Sequence, residues 1–330
     1  MKKIITFSIA AYNVQDYLAQ CLDSFLVPEC LNFIEVIIID DGSTDRTADI
    51  ASNYCKKYPD TFKLISKTNG GHGSTINTAI KIAEGKYFRP IDGDDWIKSN
   101  NLPSIISKLQ SINNDYVICD FSEEYLNQNI SKTISYNSIP KNQTFTFNSV
   151  EWDRTIPFHG ILYKTEILQK NKLTVTEKIF YEDTEYALYP LPFIKDAYYL
   201  PLILYCYRLG IEGQSVSLES RFKHLDDSEL ILKNIFNFYS NNKEDYSKSN
   251  YYKKRIKESF DFYYKLTFDN NWFSEKKFQK NKIKLMKTLY KIDKSLFLFC
   301  IKGSKIKILQ YITNYKFDKF FVKIKNRTQK

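Results

Sequence analysis

The chain has 330 residues, 43% of them hydrophobic, and a formal net charge of +10; this supports a buried core and excludes a disordered polymer. No stretch approaches about 18 uninterrupted apolar residues, which excludes a membrane-spanning helix, and Met1-Lys2-Lys3 leads into a polar-interrupted stretch with no cleavage pattern. The charge is uneven: residues 251–330 hold 22 Lys+Arg against 6 Asp+Glu, a net of +16, which leaves −6 on the first 250. An acidic body thus carries a basic tail rich in Tyr and Phe, and the two should meet different partners. The six cysteines form no Cys-x-x-Cys pair and read as thiols of a reducing, cytoplasmic compartment.

In chain order, Ile4 to Ala10 is an apolar strand, and Asn13 starts a helix with Leu18, Cys21, Leu22 and Phe25 on one face. Phe33 to Ile39 is a β-branched run, the pattern of a strand covered on both sheet faces, and it stops at Asp40-Asp41-Gly42-Ser43. A helix over 44–58 and a strand over 62–66 follow, then Asn69-Gly70-Gly71-His72-Gly73-Ser74, a helix to about Ala83, and a strand over 87–91 ending in Asp92-Gly93-Asp94-Asp95-Trp96. A helix over 102–109 and a strand over 116–121 complete the series. Such alternation predicts an α/β fold with a mostly parallel central sheet, in which ligands bind beyond the carboxyl ends of the strands. Both acidic clusters fall there. Residues 123–147 read as a hairpin insertion, 160–164 and 202–208 as strands, 182–191 as a helix, and the chain beyond Phe222 as helices. The expected division is an α/β domain over 1–220, followed by a helical, basic region over 221–330.

Each cluster has a plain alternative. Asp40-Asp41-Gly42-Ser43 is ordinary turn chemistry, or else holds a carboxylate for a base or ribose. Asp92, Asp94 and Asp95 repel one another unless solvated, protonated or metal-bound, and oxygen ligands with free neighbouring positions suit Mg²⁺ or Mn²⁺. The Gly70–Gly73 stretch has neither dinucleotide nor P-loop spacing, though amides before a helix can face an anion; His72 is a phosphate or sugar contact, or a turn-stabilising residue. Glu182-Asp183 is helix N-terminal acidity, or places a general base.

Taken in order, these pieces resemble the family 2 glycosyltransferases of the GT-A fold: residues 7–13, 36–47, Asn69-Gly70-Gly71 with Asn77, 83–87, Asp92-Gly93-Asp94-Asp95-Trp96, Glu182-Asp183 and Tyr205-Cys206-Tyr207-Arg208. The resemblance covers about residues 3–217 and implies a catalytic domain over 1–220, with nucleotide-sugar binding in 1–120 and the acceptor and base part in 121–220. It implies that Ala10, Tyr12 and Asp41 hold a uridine, with Asn69 near the base or ribose, and that Asp92, Gly93 and Asp94 form the Asp-x-Asp motif. Asp94 would be the principal metal ligand, with Asp92 beside it and nearer the ribose; Asp183 would be the catalytic base. Arg208 and the loop 214–217 would close over the diphosphate. The implied reaction is inverting transfer of a hexose or N-acetylhexosamine from a UDP-sugar to a saccharide or lipid-linked saccharide, with Mn²⁺ or Mg²⁺, in cell-surface glycan synthesis. Two departures stand out. Ala10 replaces a usual proline, and Ile76 replaces an arginine that often precedes the Asn77 position, leaving His72, Lys81 or Arg208 to supply the cation.

Two other classes compete. A membrane- or nucleic-acid-binding protein would use the basic, aromatic tail; nucleic acid is disfavoured as a partner by the acidic body. A sugar-phosphate nucleotidyltransferase would show a Gly-rich, cationic loop after the first strand, where this chain has Ala10-Ala11-Tyr12-Asn13. For the tail, solvated helices are the default and an anionic membrane surface the sharper expectation, with Tyr251, Tyr252, Phe260, Phe262, Tyr263, Tyr264, Trp272, Phe297, Phe299, Phe320 and Phe321 at the interface.

Overall fold

The computed structural model describes residues 2–210, 217–242, 250–269, 276–304, 307, 308 and 312. The chain divides into two compact units, Met1–Gln214 and Ser215–Lys330.

The first unit is built on one ten-stranded sheet. Its strands are β1 Ile5–Ala11, β2 Ile34–Asp40, β3 Phe62–Ser66, β4 Tyr87–Asp92, β5 Trp96–Ile97, β6 Tyr116–Tyr125, β7 Ile130–Ile134, β8 Thr144–Phe145, β9 Ile161–Lys164 and β10 Ala197–Leu209. The spatial order is β3-β2-β1-β4-β9-β6-β10-β5, with β7 on β6 and β8 on β10. The expected parallel sheet holds for β3, β2, β1 and β4. Beyond β4 the sheet is mixed, because β9 enters antiparallel between β4 and β6 while β10 runs parallel to β6. Every residue of β2 is buried, as its β-branched run requires for a strand covered on both faces.

The helices of this unit are α1 Leu18–Asp23, α2 Thr47–Lys57, α3 His72–Ile82, α4 Leu102–Ser111, α5 Thr165–Lys170 and α6 Asp183–Leu188. Helix α6 is shorter than the pattern over 182–191 predicts: Pro190 and Pro192 follow it, and the chain turns there into a 3₁₀ segment, Leu191–Phe193. Strand β10 carries a bulge, with its register on β6 shifting between Leu200 and Tyr205 around Pro201. A proline cannot donate to a ladder, so it sits where pairing is broken, and the bulge sets how the following residues face.

The second unit is helical: α7 Leu218–Lys223, α8 Leu225–Asn241, α9 Asn250–Asp269, α10 Lys276–Ile292 and α11 Lys294–Ile301. Its aromatics face inward, against the expectation of an aromatic interface. Tyr251, Tyr252, Phe260, Tyr263, Tyr264 and Phe297 are all buried; Phe262 and Phe299 are half-buried. Burying such rings is worth about 1.5–3 kcal/mol each, more than surface display offers, so they form this unit's core. Buried Glu229 accepts from Tyr263 Oη and Asn281 Nδ2, and Tyr239 Oη donates to Asp293, which also caps α11 through the amides of Ser295 and Leu296. Trp272, Phe320, Phe321 and residues 214–216 of the expected closing loop lie outside the described residues.

Candidate active site

Parallel pairing brings the carboxyl ends of β1, β2 and β4 level: Ala10 lies opposite Ile39 on one side and Asp92 on the other. The Gly93 amide donates to Ala10 O at 2.9 Å. A Cβ at Gly93 would stand 2.7 Å from that oxygen, so only glycine lets the two strand ends meet. Asn13, at φ 51°, accepts from the Thr44 amide at 2.8 Å, and its own amide donates to Ser43 Oγ, which stitches the loops after β1 and β2 together. Tyr12 stands half exposed beside them, and Asn69 is exposed across from Gly42.

Asp41, expected at the uridine, is engaged within the protein. It is 2% exposed, and its carboxylate accepts from Lys67 Nζ at 2.7 Å, the Gly70 amide at 2.9 Å, the Gly71 amide at 2.8 Å and Ser74 Oγ at 3.3 Å. The anion that the Gly70 and Gly71 amides face is therefore the protein's own. Glycine is required here also for packing: a Cβ on Gly73 would lie 2.2 Å from Thr176 O, and one on Gly71 3.0 Å from Lys178 N. The segment 176–182 thus lies directly on the start of α3. Asn77 locks it further, exchanging bonds with the Val175 backbone in both directions.

This packing brings together two motifs, at Asp92 and Glu182, that are 90 residues apart in sequence. His72 Nε2 lies 2.9 Å from Asp92 Oδ1 and Nδ1 lies 2.6 Å from Glu182 Oε1. Burial lowers the imidazole's pKa, but Asp92 and Glu182 outweigh it and hold it well above its ordinary value. Of the three cations open to replace an arginine at position 76, His72 is the one whose side chain pairs with a carboxylate of the acidic cluster. Ile76 itself is fully buried, one turn further along α3.

The three aspartates after β4 have separate fates. Asp95 is buried: Oδ2 accepts from Tyr205 Oη at 2.5 Å and Oδ1 from the Arg208 amide at 2.7 Å. Asp92 is partly exposed and also accepts from Tyr205 Oη, at 3.2 Å. Asp94 is partly exposed, and its carboxylate takes no side-chain hydrogen bond or ion pair among the described residues. Burial and the charge of Asp92 push the Asp94 carboxyl up to about 6. Arg208 does not face open solvent as a diphosphate clamp would. It is 4% exposed, packed between the rings of Tyr17 and Trp96 at 4.9 and 4.8 Å, and donates from Nε to Asp94 O and from a terminal nitrogen to Gln20 Oε1, both at 2.5 Å. It holds the Asp92–Asp95 turn from behind.

Glu182 and Asp183 divide. Glu182 is buried and turned to His72, whereas Asp183 opens α6, half exposed, its Oδ1 accepting from the Thr184 amide at 2.8 Å. Tyr181, just before them, has φ 72°. An aromatic residue in the left-handed region costs about 1–3 kcal/mol, which surrounding contacts must offset. The sequence reading missed His159 and Arg89. A potential ligand atom of His159 lies within 4.8 Å of those of Asp92 and Asp95, and burial pulls its imidazole down to about 4. Fully buried Arg89 donates to the carbonyls of Phe158, His159 and Ile161 and so fixes that turn. A lone histidine in a loop, with no motif around it, carries no signal that could have revealed this.

The mixed α/β sheet, with carboxylates gathered at the ends of its parallel strands, is of the GT-A kind. The glycosyl transferase family 2 profile matches residues 6–171, and the chain belongs to that family. The "Putative glycosyltransferase EpsH" of Bacillus subtilis (strain 168) is 28% identical over 74% of this chain and 72% of its own length. The poly(ribitol-phosphate) beta-glucosyltransferase of Bacillus spizizenii is 42% identical over 101 residues, 30% of this chain and 16% of that longer enzyme. S. aureus TarS 1-349, solved in complex with UDP-GlcNAc, shares the fold with a TM-score of 0.65 at 18% identity, over 96% of this chain and 90% of that one. The chain is therefore a glycosyltransferase, which removes the nucleotidyltransferase and the purely binding protein as readings.

Proposed function

We propose that the enzyme transfers a hexose or N-acetylhexosamine from a UDP-sugar to a hydroxyl of a saccharide or lipid-linked saccharide, with inversion, in cell-surface glycan synthesis. The observation that carries this is the meeting of Asp92 with Glu182 through His72, which brings the Asp92–Asp94 turn and the Glu182-Asp183 pair to one place. TarS 1-349, solved in complex with UDP-GlcNAc, and the relative named poly(ribitol-phosphate) beta-glucosyltransferase support the donor and acceptor classes.

In this reading Ala10, Tyr12, Asn69 and the Gly93 turn line the nucleotide, and Asp41 acts by shaping the loop at Asn69–Gly71. Asp94 and Asp92 would hold Mn²⁺ or Mg²⁺. The fit rests on the donors: two partly exposed carboxylates on one turn, with the Asp94 carboxyl pushed up by burial and then by the charge of Asp92, a charge that a divalent cation would offset. Such an ion, when bound, neutralises charge that grows on the leaving diphosphate. Asp95, committed to Tyr205 and the Arg208 amide, is assigned a structural part. Asp183 takes the proton from the acceptor hydroxyl as that oxygen attacks the anomeric carbon; the bond to the diphosphate breaks and UDP leaves. His72, taking up charge from both Asp92 and Glu182, keeps Asp183's neighbour from competing for the proton. The test is UDP release from a panel of UDP-sugars with Mn²⁺. Asp183→Asn should leave UDP affinity near wild type and lower turnover roughly 100-fold or more; loss of UDP binding in step with turnover would make Asp183 a helix cap.

Peripheral attachment to an anionic membrane at the cytoplasmic face belongs to the same proposal, now on a different surface. Among the described residues no helix is long and apolar enough to cross a membrane. Along α10 and α11, Lys284, Lys287, Lys291, Lys294, Leu298 and Lys302 are exposed at helical spacing, and Leu298 is 51% exposed. Each such lysine is worth about 1 kcal/mol near an anionic leaflet. The six free cysteines suit a reducing compartment. The full chain should sediment with anionic vesicles at low salt and release at high salt; a triple Lys284, Lys287 and Lys291 to Glu variant that still sediments would rule the surface out.

A further inference from the structure

A transferred sugar needs a surface of its own near the aspartate cluster, and the structure stacks an aromatic pair beside it. Tyr205 and Tyr207 are two apart on β10 and project from the same sheet face. Tyr205 spends its hydroxyl on Asp92 and Asp95. Tyr207, one step further along the strand, is half exposed and lies flat against His159, with ring centroids 4.2 Å apart and planes inclined by 26°. His159 in turn meets the edge of Tyr205 at 5.0 Å, and Phe121 lies 5.2 Å away. The His159 backbone is fixed by buried Arg89. The phenol of Tyr207 feels the charges of Asp92, Asp95, Asp94 and Asp183 together, which raises its pKa on top of the effect of burial. One ring, stacked on an imidazole that has a ligand atom within 4.8 Å of those of Asp92 and Asp95, therefore stands beside the aspartate cluster.

We propose that Tyr207, backed by His159, is the platform on which the donor's sugar ring rests, and that this stacked pair selects which sugar is transferred. The inference rests on the UDP-sugar reading above. A pyranose presents C–H groups on one face and hydroxyls at its rim. An aromatic face accepts the former, while carboxylates around it accept hydrogen bonds from the latter. Burial pulls His159 down to about 4, so near neutral pH it backs the stack without adding charge to the acidic site. The nucleotide itself lies outside this contact, so the pair should tell UDP from UDP-sugar.

The experiment measures affinities for UDP, UDP-glucose and UDP-N-acetylglucosamine with Mn²⁺, on wild type, Tyr207→Phe, Tyr207→Ala and His159→Phe. The platform predicts that Tyr207→Ala leaves UDP affinity unchanged and costs the preferred UDP-sugar about 10-fold, an aromatic contact's worth, while flattening the preference between sugars. Tyr207→Phe and His159→Phe, which keep a stacked ring, should retain both. Three outcomes overturn it. Parallel loss of UDP and UDP-sugar affinity would make Tyr207 a fold residue. No change in Tyr207→Ala would leave the ring idle. Phe behaving like Ala would put the effect on the hydroxyl and not the ring face. If wild type bound no UDP at all, the donor reading itself would fall and take the platform with it.

Discussion

Replacing Asp41 by Asn separates two accounts of a buried carboxylate that accepts from four donors. In the structure Oδ2 serves the Gly71 amide and Oδ1 serves Lys67 Nζ, Gly70 N and Ser74 Oγ. An asparagine loses least by placing its oxygen at the Oδ2 position, which keeps the Gly71 amide and the 3.1 Å bond from Gly70. Its NH₂ group then points at the Lys67 ammonium, donor against donor. Ser74 can rotate to accept, and Lys67 keeps its bond to Thr68 O, so the net loss is one charge-assisted bond of about 1.5–3 kcal/mol plus part of a buried ion pair. We expect about 3 kcal/mol in total. For a unit of this size that lowers Tm by roughly 6–12 °C. Thermal unfolding followed by circular dichroism reads it, with UDP affinity measured on the same samples well below Tm. If Asp41 shapes the loop at Asn69–Gly71, stability falls and UDP affinity falls only modestly. An Asp41→Asn protein of wild-type Tm that no longer bound UDP would refute this and restore Asp41 as a direct nucleotide ligand.

Three further outcomes follow from the same geometry. Gly73→Ala sets a methyl 2.2 Å from Thr176 O, so the 176–182 segment must move; transfer should fall roughly 100-fold, since displacements of about 1 Å cost that much, with UDP affinity largely kept, and unimpaired transfer would contradict the packing. Arg208→Lys keeps the charge but loses the planar fork between Tyr17 and Trp96 that holds Asp94 O and Gln20; the Mn²⁺ concentration needed for half-maximal UDP binding should rise, and an unchanged value would make Arg208 irrelevant to the turn. Excess chelator, or Asp94→Asn, should abolish metal-dependent UDP binding and nearly all UDP release, and full activity in chelator would remove the metal from the proposal.

The sequence alone determined the layered α/β frame and where its acidic clusters fall, for a local reason. An apolar strand and the aspartates and glycine that end it lie within a dozen residues, as in Ile34–Gly42 and Tyr87–Asp95, and parallel strands place such ends side by side. The sense of β9 was not legible, because a four-residue strand carries no mark of direction; nor was the inward turn of the tail's aromatics, because a ring at helical spacing looks the same whether it meets a neighbouring helix or a membrane. The partners of charged side chains were decided only by tertiary packing. Asp41 and Arg208 carry the residue types of ligand contacts, yet one is consumed by the Gly70–Gly71 amides and Lys67 and the other by Asp94 O and two aromatic rings. His72 meets Asp92 and Glu182, and His159 lies against Tyr207, across sequence gaps no spacing rule spans. A charge's role depends on what comes within about 4 Å of it, and for residues far apart in the chain that distance exists only once the sheet has closed.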